Sequence, residues 1–182
     1  MNRICVYCGA KTGKRTEYLT AAAALGKALA LNGIGLVYGG GNSGIMGKIS
    51  TTVMENGGEV IGVIPEPLYE RGAAAPDLSE LHVVNGIHER KARMMELSDG
   101  FIALPGGLGT FEELFEVLNW SKLKLHNKPY GLLNTCRYFS KLLELLDHIA
   151  EEKFMNPAHI NTIYIDENPD ELVAKMMQHH AL

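Results

Sequence analysis

Residues 105–116 read PGGLGTFEELFE, a glycine-rich turn running into three glutamates, Glu112, Glu113 and Glu116. The two halves favour opposite charges. The amides of Gly106, Gly107, Leu108, Gly109 and Thr110 can converge on one anion, and the start of the following helix adds roughly half a positive charge. Glycines let the backbone approach a ligand and adopt positive φ. The Thr110 hydroxyl donates to a phosphate or caps the helix. No Gly-Lys-[Ser/Thr] follows, so the turn is not a P-loop and a Mg·ATP site is not expected. A reading without any ligand fits equally well. Thr110-Phe111-Glu112-Glu113 has the spacing of a capping box, in which Glu113 reaches back to the Thr110 amide.

Two further stretches carry groups of the same kind. Gly39-Gly40-Gly41-Asn42-Ser43-Gly44 satisfies G-x-G-x-x-G, which points to a dinucleotide. It follows a second strand, not a first. The acidic residue that should close the next strand is only half present: Glu59 begins that strand and Glu66 follows it, beyond Pro65. The other stretch, His88-Glu89-Arg90-Lys91-Ala92-Arg93, sits at a helix start. Arg90 and Arg93 are three apart and share a face. Cations in a first turn oppose the helix dipole, so an anionic substrate or a buried carboxylate is expected to stabilise them. The cysteines are weaker candidates. Cys5-Val6-Tyr7-Cys8 has C-x-x-C spacing but lies in a strand, where side chains three apart face opposite ways. A redox pair normally opens a helix, and a zinc site needs more ligands. Both cysteines therefore read as structural, and no metal site is expected. Residues 178–182, with His179 and His180, read as a fraying helix end and not as a metal site.

The elements that must hold these groups follow from the apolar pattern. Short apolar runs at residues 3–8, 35–38, 59–64, 81–84, 100–104, 128–133 and 162–165 read as strands. Between them, residues 15–32, 44–56, 88–98, 110–125, 138–152 and 169–179 read as helices. This alternation predicts one α/β domain over residues 1–182: a Rossmann-like, doubly wound, mostly parallel sheet with helices on both faces. Right-handed crossovers then place residues 7–13, 39–47 and 105–110 at the carboxyl ends of strands, where such folds bind ligands. Residues 65–79 form the least regular stretch and read as a mobile loop over a site. In the helix after residue 110, Phe111, Leu114, Phe115 and Leu118 share the face expected to pack on the sheet. Glu113, Glu116, Trp120 and Leu123 fall on the other side. A solvent-facing stripe rarely holds Trp and Leu, so a partner subunit is expected to cover it.

A net charge of −4 argues against a nucleic-acid surface. No run approaches the ~18 apolar residues of a membrane span. The N-terminus lacks the apolar stretch of a signal peptide. The expected compartment is therefore the cytoplasm, with neither membrane nor nucleic acid as partner.

Taken together, these motifs resemble the Lonely Guy (LOG) family, whose members are often labelled possible lysine decarboxylases. Pro105 to Glu113 is similar to its P-G-G-x-G-T-x-x-E motif, Gly39 to Gly47 to its G-G-G-x-x-G-[LI]-M-G stretch, and His88 to Met94 to its H-x-R-K-x-x-M stretch. Cys5-Val6-Tyr7-Cys8-Gly9 resembles the usual start, and the likeness covers nearly the whole chain. It implies hydrolysis of the N-glycosidic bond of nucleoside 5′-monophosphates, either cytokinin riboside monophosphate or AMP, by a Rossmann-like homodimer with its site near the interface. No metal or organic cofactor is implied.

The resemblance assigns catalysis to Arg90 and Glu113. It assigns substrate contacts to Gly41, Ser43, Met46, Arg90, Lys91, Gly106, Gly107, Leu108, Gly109, Thr110, Glu112 and Asn119. In that chemistry positive charge grows on the sugar, and a carboxylate stabilises it or serves as base or nucleophile. Glu113 is then the carboxylate facing the ribose. Arg90 holds the phosphate or orients Glu113, Lys91 supports the anion, and Glu112 binds a ribose hydroxyl. Phosphate and sugar lie about one helical turn apart, roughly 5 Å, as the turn and Glu113 do. Plant members carry a substrate-contacting glutamate where this chain has Gly72, with Glu70 nearby, and a threonine where it has Asn119. Lysine decarboxylation would need pyridoxal phosphate on a lysine, and Lys91 has no context for that role. Two alternatives stay open: a non-catalytic nucleotide- or molybdenum-cofactor-binding module on the same fold, and an NAD-dependent oxidoreductase using residues 39–44.

Overall fold

The computed structural model describes residues 1–179; of the expected fraying end, residues 180–182 lie outside them, while the His179 ring is hydrogen-bonded to the Tyr164 hydroxyl at 3.1 Å and to Asn127 O at 3.0 Å. Seven strands form one sheet: β1 Arg3–Tyr7, β2 Gly35–Tyr38, β3 Val60–Pro65, β4 Glu80–Val84, β5 Gly100–Ala103, β6 Tyr130–Leu133 and β7 Ile163–Asp166. Their order is β4-β3-β2-β1-β5-β6-β7, and every pairing is parallel. The chain winds outward from β1 to β4, then returns to the centre and winds the other way from β5 to β7. The reversal leaves a crevice beyond the carboxyl ends of β1 and β5, the place where doubly wound sheets bind ligands.

Seven helices cover the sheet: α1 Glu17–Leu31, α2 Gly44–Glu55, α3 Glu66–Tyr69, α4 Ile87–Glu96, α5 Leu108–Lys122, α6 Ser140–Glu151 and α7 Pro169–Met177. Two cores result. Ile4, Val6, Leu36, Ile102 and Leu133 meet α1, α2 and α7 on one face. Cys5, Val37, Ile61, Phe101 and Leu132 meet α4, α5 and α6 on the other. Alternating residues of each strand thus serve opposite faces, which is why the strands are apolar throughout. Cys5 and Cys8 fall in different cores, so their spacing does not bring the thiols together.

Three local expectations change. Residues 65–79 are less irregular than the sequence predicts, because α3 lies in them. The segment also pairs with the glycine turn through a Gly41–Ala74 bridge, and Ala75 N–H donates to Gly40 O at 2.8 Å. Helix α5 begins at Leu108 with Gly107 as its N-cap, so Thr110 is already inside the first turn and the capping-box reading fails. The inward face of α5 is Thr110, Glu113, Leu114 and Val117; burial of Leu114 and Val117 contributes about 1.5–3 kcal/mol each. Phe115, expected on the sheet, is 40% exposed, and Glu113, expected opposite it, is buried.

Candidate active site

A cavity of about 530 Å³ occupies the crevice. Its walls come from the turn after β1, the turn after β5, the start of α2, and inward side chains of α4 and α5. Which of the two glycine turns faces it as an anion site is decided by hydrogen bonds. At α2 the first amides are already used: Ile45 and Met46 N–H both donate to Gly9 O, at 3.0 and 3.2 Å. The turn at Gly44 exists to receive that loop. Gly44 has φ +62°, and a Cβ there would fall 2.4 Å from the Ala10 carbonyl carbon. The G-x-G-x-x-G stretch therefore packs against protein where a dinucleotide would need open backbone. Glu59, the half-matched ribose ligand, pairs with Arg3 at 2.8 Å, at the far end of the sheet from the crevice. At α5 the situation is reversed. The first helical amides, Leu108, Gly109 and Thr110, have no intrahelical acceptor. Gly106, Gly107, Gly109 and Thr110 line the cavity. The Tyr138 hydroxyl donates to Gly106 O and fixes the turn.

One turn into α5, the Glu113 carboxylate faces the same cavity with its side chain 10% exposed. Arg90 of α4 lies beside it, Nη1 to Oε1 at 3.4 Å. The guanidinium is also held by backbone: Nε donates to Val63 O at 3.0 Å and Nη2 to Gly39 O at 3.2 Å. A Cβ at residue 39 would sit 1.9 Å from Arg90 Nη2, so Gly39 makes room for the arginine. These acceptors account for a cation near a helix start. Burial pushes the Glu113 carboxyl up to about 7; Arg90 and Lys91 pull it down, whereas Glu112 and Glu116 raise it further. The result is a carboxyl poised near neutral pH, where a general base works best.

Lys91, next in sequence, points elsewhere. Its ammonium meets Glu112 at 2.7 Å and Glu116 at 3.1 Å. Burial lowers its pKa, but the two carboxylates carry it above the ordinary lysine value. A lysine held protonated in this way is the opposite of a Schiff-base nucleophile.

Of the residues expected to bind or catalyse, Met46, Arg90, Gly106, Gly107, Gly109, Thr110 and Glu113 are brought together around the cavity. The others lie outside its lining. Gly41 is bridged to Ala74. The Ser43 hydroxyl donates to Ala10 O. Lys91 and Glu112 pair with each other. Leu108 is 90% exposed, and Asn119 borders a separate apolar groove with Phe115 and Phe154. Glu70 and Gly72 are exposed. The sequence reading passed over Lys11, Tyr18, Ile45 and Tyr138, which also line the cavity. Lys11 and Ile45 belong to the strand-end segments 7–13 and 39–47, whereas Tyr18 reaches the cavity from the first turn of α1. Tyr138 gave no such signal: it arrives through a 3-10 turn, Thr135–Arg137, in which Cys136 has φ 53°.

Residues 46–176 match the family profile described as possible lysine decarboxylase. A rice (Oryza sativa subsp. japonica) protein, probable cytokinin riboside 5′-monophosphate phosphoribohydrolase LOGL6, is 47% identical over 96% of this chain and 70% of its own length. Arabidopsis thaliana cytokinin riboside 5′-monophosphate phosphoribohydrolase LOG3 is 45% identical over 97% of this chain and 82% of its own. Among solved structures, the molybdenum cofactor binding protein of Rippkaea orientalis superposes with TM-score 0.71 at 26% identity, over 97% of this chain and 95% of that one. The Chlamydomonas reinhardtii Moco carrier protein gives 0.73 at 24%, over 97% and 96%, a likeness of fold. With motifs, site and nearly full-length identity in agreement, the chain belongs to the Lonely Guy family, whose profile carries the possible lysine decarboxylase description.

Proposed function

We propose that the protein hydrolyses the N-glycosidic bond of nucleoside 5′-monophosphates, AMP or a cytokinin riboside monophosphate, to free base and ribose 5-phosphate. The observation that carries this reading is the buried Glu113 carboxylate beside Arg90, one helical turn past the unpaired amides of α5. The names of relatives near 45% identity support it. In this reading the phosphate meets the amides of residues 106–110 and the ribose lies over Glu113. As the bond from C1′ to the base nitrogen breaks, its electron pair leaves with the base and positive charge grows on the sugar. The Glu113 carboxylate stabilises that charge; water adds its oxygen to C1′, and the proton it loses is balanced by the one the departing base nitrogen gains. Arg90 holds Glu113 in place and favours its ionised form against the effect of burial. Serving as base, as nucleophile or as electrostatic partner, Glu113 acts in its ionised form.

The reading extends to a cytoplasmic homodimer. Leu123 and Leu125, exposed just past the end of α5, together with half-buried Trp120 in its last turns, support an apolar surface that a second subunit would cover. Light scattering at micromolar concentration tests it, and a monomer would contradict it.

The activity is tested by incubating the protein with nucleoside monophosphates, nucleosides and triphosphates and identifying the released bases. Release confined to monophosphates is expected. The likeness to the Rippkaea orientalis protein supports a second reading, a non-catalytic binder. It would show ligand-dependent melting without base release.

A further inference from the structure

Arg90 is surrounded by acceptors of the protein itself: Val63 O, Gly39 O and Glu113. A guanidinium committed in three directions has little left for a phosphate. Yet a phosphate monoester carries about −1.5 to −2 charges at pH 7, and the start of α5 offers only roughly half a positive charge. Among the described residues lining the cavity, three bear formal charge: Lys11, Arg90 and Glu113. Arg90 and Glu113 offset each other, which leaves Lys11.

The position of Lys11 is built and not incidental. Gly9 N–H donates to Pro105 O at 3.1 Å, joining its loop to the α5 turn. Gly9 O accepts from Ile45 and Met46, and Ala10 O accepts from Ser43, joining the same loop to α2. A Cβ at Gly44 would fall 2.5 Å from the Lys11 amide nitrogen. The backbone of Lys11 is thus clamped between the two glycine turns at the wall of the cavity. Its residue is exposed, and its ammonium forms no ion pair among the described residues. A lysine offers a compact charge with three donors on a flexible stem, suited to a phosphate that needs a counter-charge but no fixed fork.

We infer that Lys11 is the cation that binds the substrate's 5′-phosphate at the α5 turn, while Arg90 serves Glu113; this rests on the phosphoribohydrolase reading. Lys11 sets affinity for the phosphate end and takes no part in bond cleavage.

The test measures base release from AMP, and separately the binding of ribose 5-phosphate and ribose by calorimetry. The proteins are the wild type, Lys11→Ala, Lys11→Arg and, as a control outside the cavity, Lys14→Ala. Lys11→Ala is expected to raise KM for AMP by about tenfold or more with kcat little changed, the loss of one charge-assisted contact. Ribose 5-phosphate binding should weaken by the same factor, ribose binding should not, and Lys11→Arg should restore most of the loss. Unchanged KM and unchanged ribose 5-phosphate binding in Lys11→Ala would overturn the inference. So would a fall in kcat at constant KM. A wild-type protein that binds ribose 5-phosphate but releases no base would overturn the functional reading instead, and the binding comparison would still decide the role of Lys11.

Discussion

Arg90 and Lys91 are neighbours on α4, and each pairs with glutamate on α5, but the two pairs differ in kind. Arg90 and Glu113 sit inside the cavity, with side chains 13% and 10% exposed. Lys91 is equally buried at 7%, but its partners Glu112 and Glu116 are 54% and 24% exposed. The first pair leaves its carboxylate desolvated and its pKa near 7; the second leaves its lysine charged. A step of about 100° around a helix thus separates a pair that faces the cavity from a clamp that fastens α4 to α5. Burial of the charge is common to both; what differs is whether the partner carboxylate faces a cavity or water.

Substitutions can break or sharpen this contrast. The largest effect is expected from Glu113→Gln, which keeps the shape and removes the charge. Turnover on AMP should fall by about 10²–10³-fold while the melting temperature is retained. Arg90→Lys keeps a charge but cannot reach Val63 O, Gly39 O and Glu113 together, so turnover should fall by about tenfold or more. Lys91→Met should do the reverse: urea unfolding should show a loss of about 1–3 kcal/mol, with kcat close to the wild-type value. Glu112→Gln removes a half-exposed partner and should cost less than about 1 kcal/mol, again with kcat preserved. Equal catalytic losses at residues 91 and 113 would erase the distinction between the pairs.

Much of this architecture is legible in the chain. Continuous apolar runs such as Ile4-Cys5-Val6 can be satisfied only by a sheet covered on both faces, and the alternation with helices then fixes the crevice. The glycine turn at residues 105–110 also announces itself as an anion site. The sequence does not show which glycine turn has free amides, because the Gly9 carbonyl that occupies α2 arrives from a distant segment. The start of α5 was equally hidden. Thr110 is a good N-cap by type, but the chain enters the helix three residues earlier, with Gly107 as the N-cap. With that shift, Glu113 turns inward to Arg90 and Phe115 turns out to border the second groove. The opposite fates of Arg90 and Lys91 depend on what α5 and the strand ends present to each, and no local pattern encodes that.

Glu113 also ties stability to pH. Its carboxyl is raised from the ordinary 4.5 to about 7, chiefly by burial. The native protein therefore keeps a proton that the unfolded chain has already lost, so stability falls as pH rises through this interval. The contribution is complete below 4.5 and gone above about 7. The same titration bears on the central claim, that an ionised Glu113 cleaves the bond. The most direct measurement is the pH dependence of kcat/KM for base release from AMP, which titrates the ligand-free protein. The expected profile is low in acid, rises with an apparent pKa of about 7 and reaches a plateau above it. A profile that is flat across this range, or that falls through it, would contradict the role assigned to Glu113.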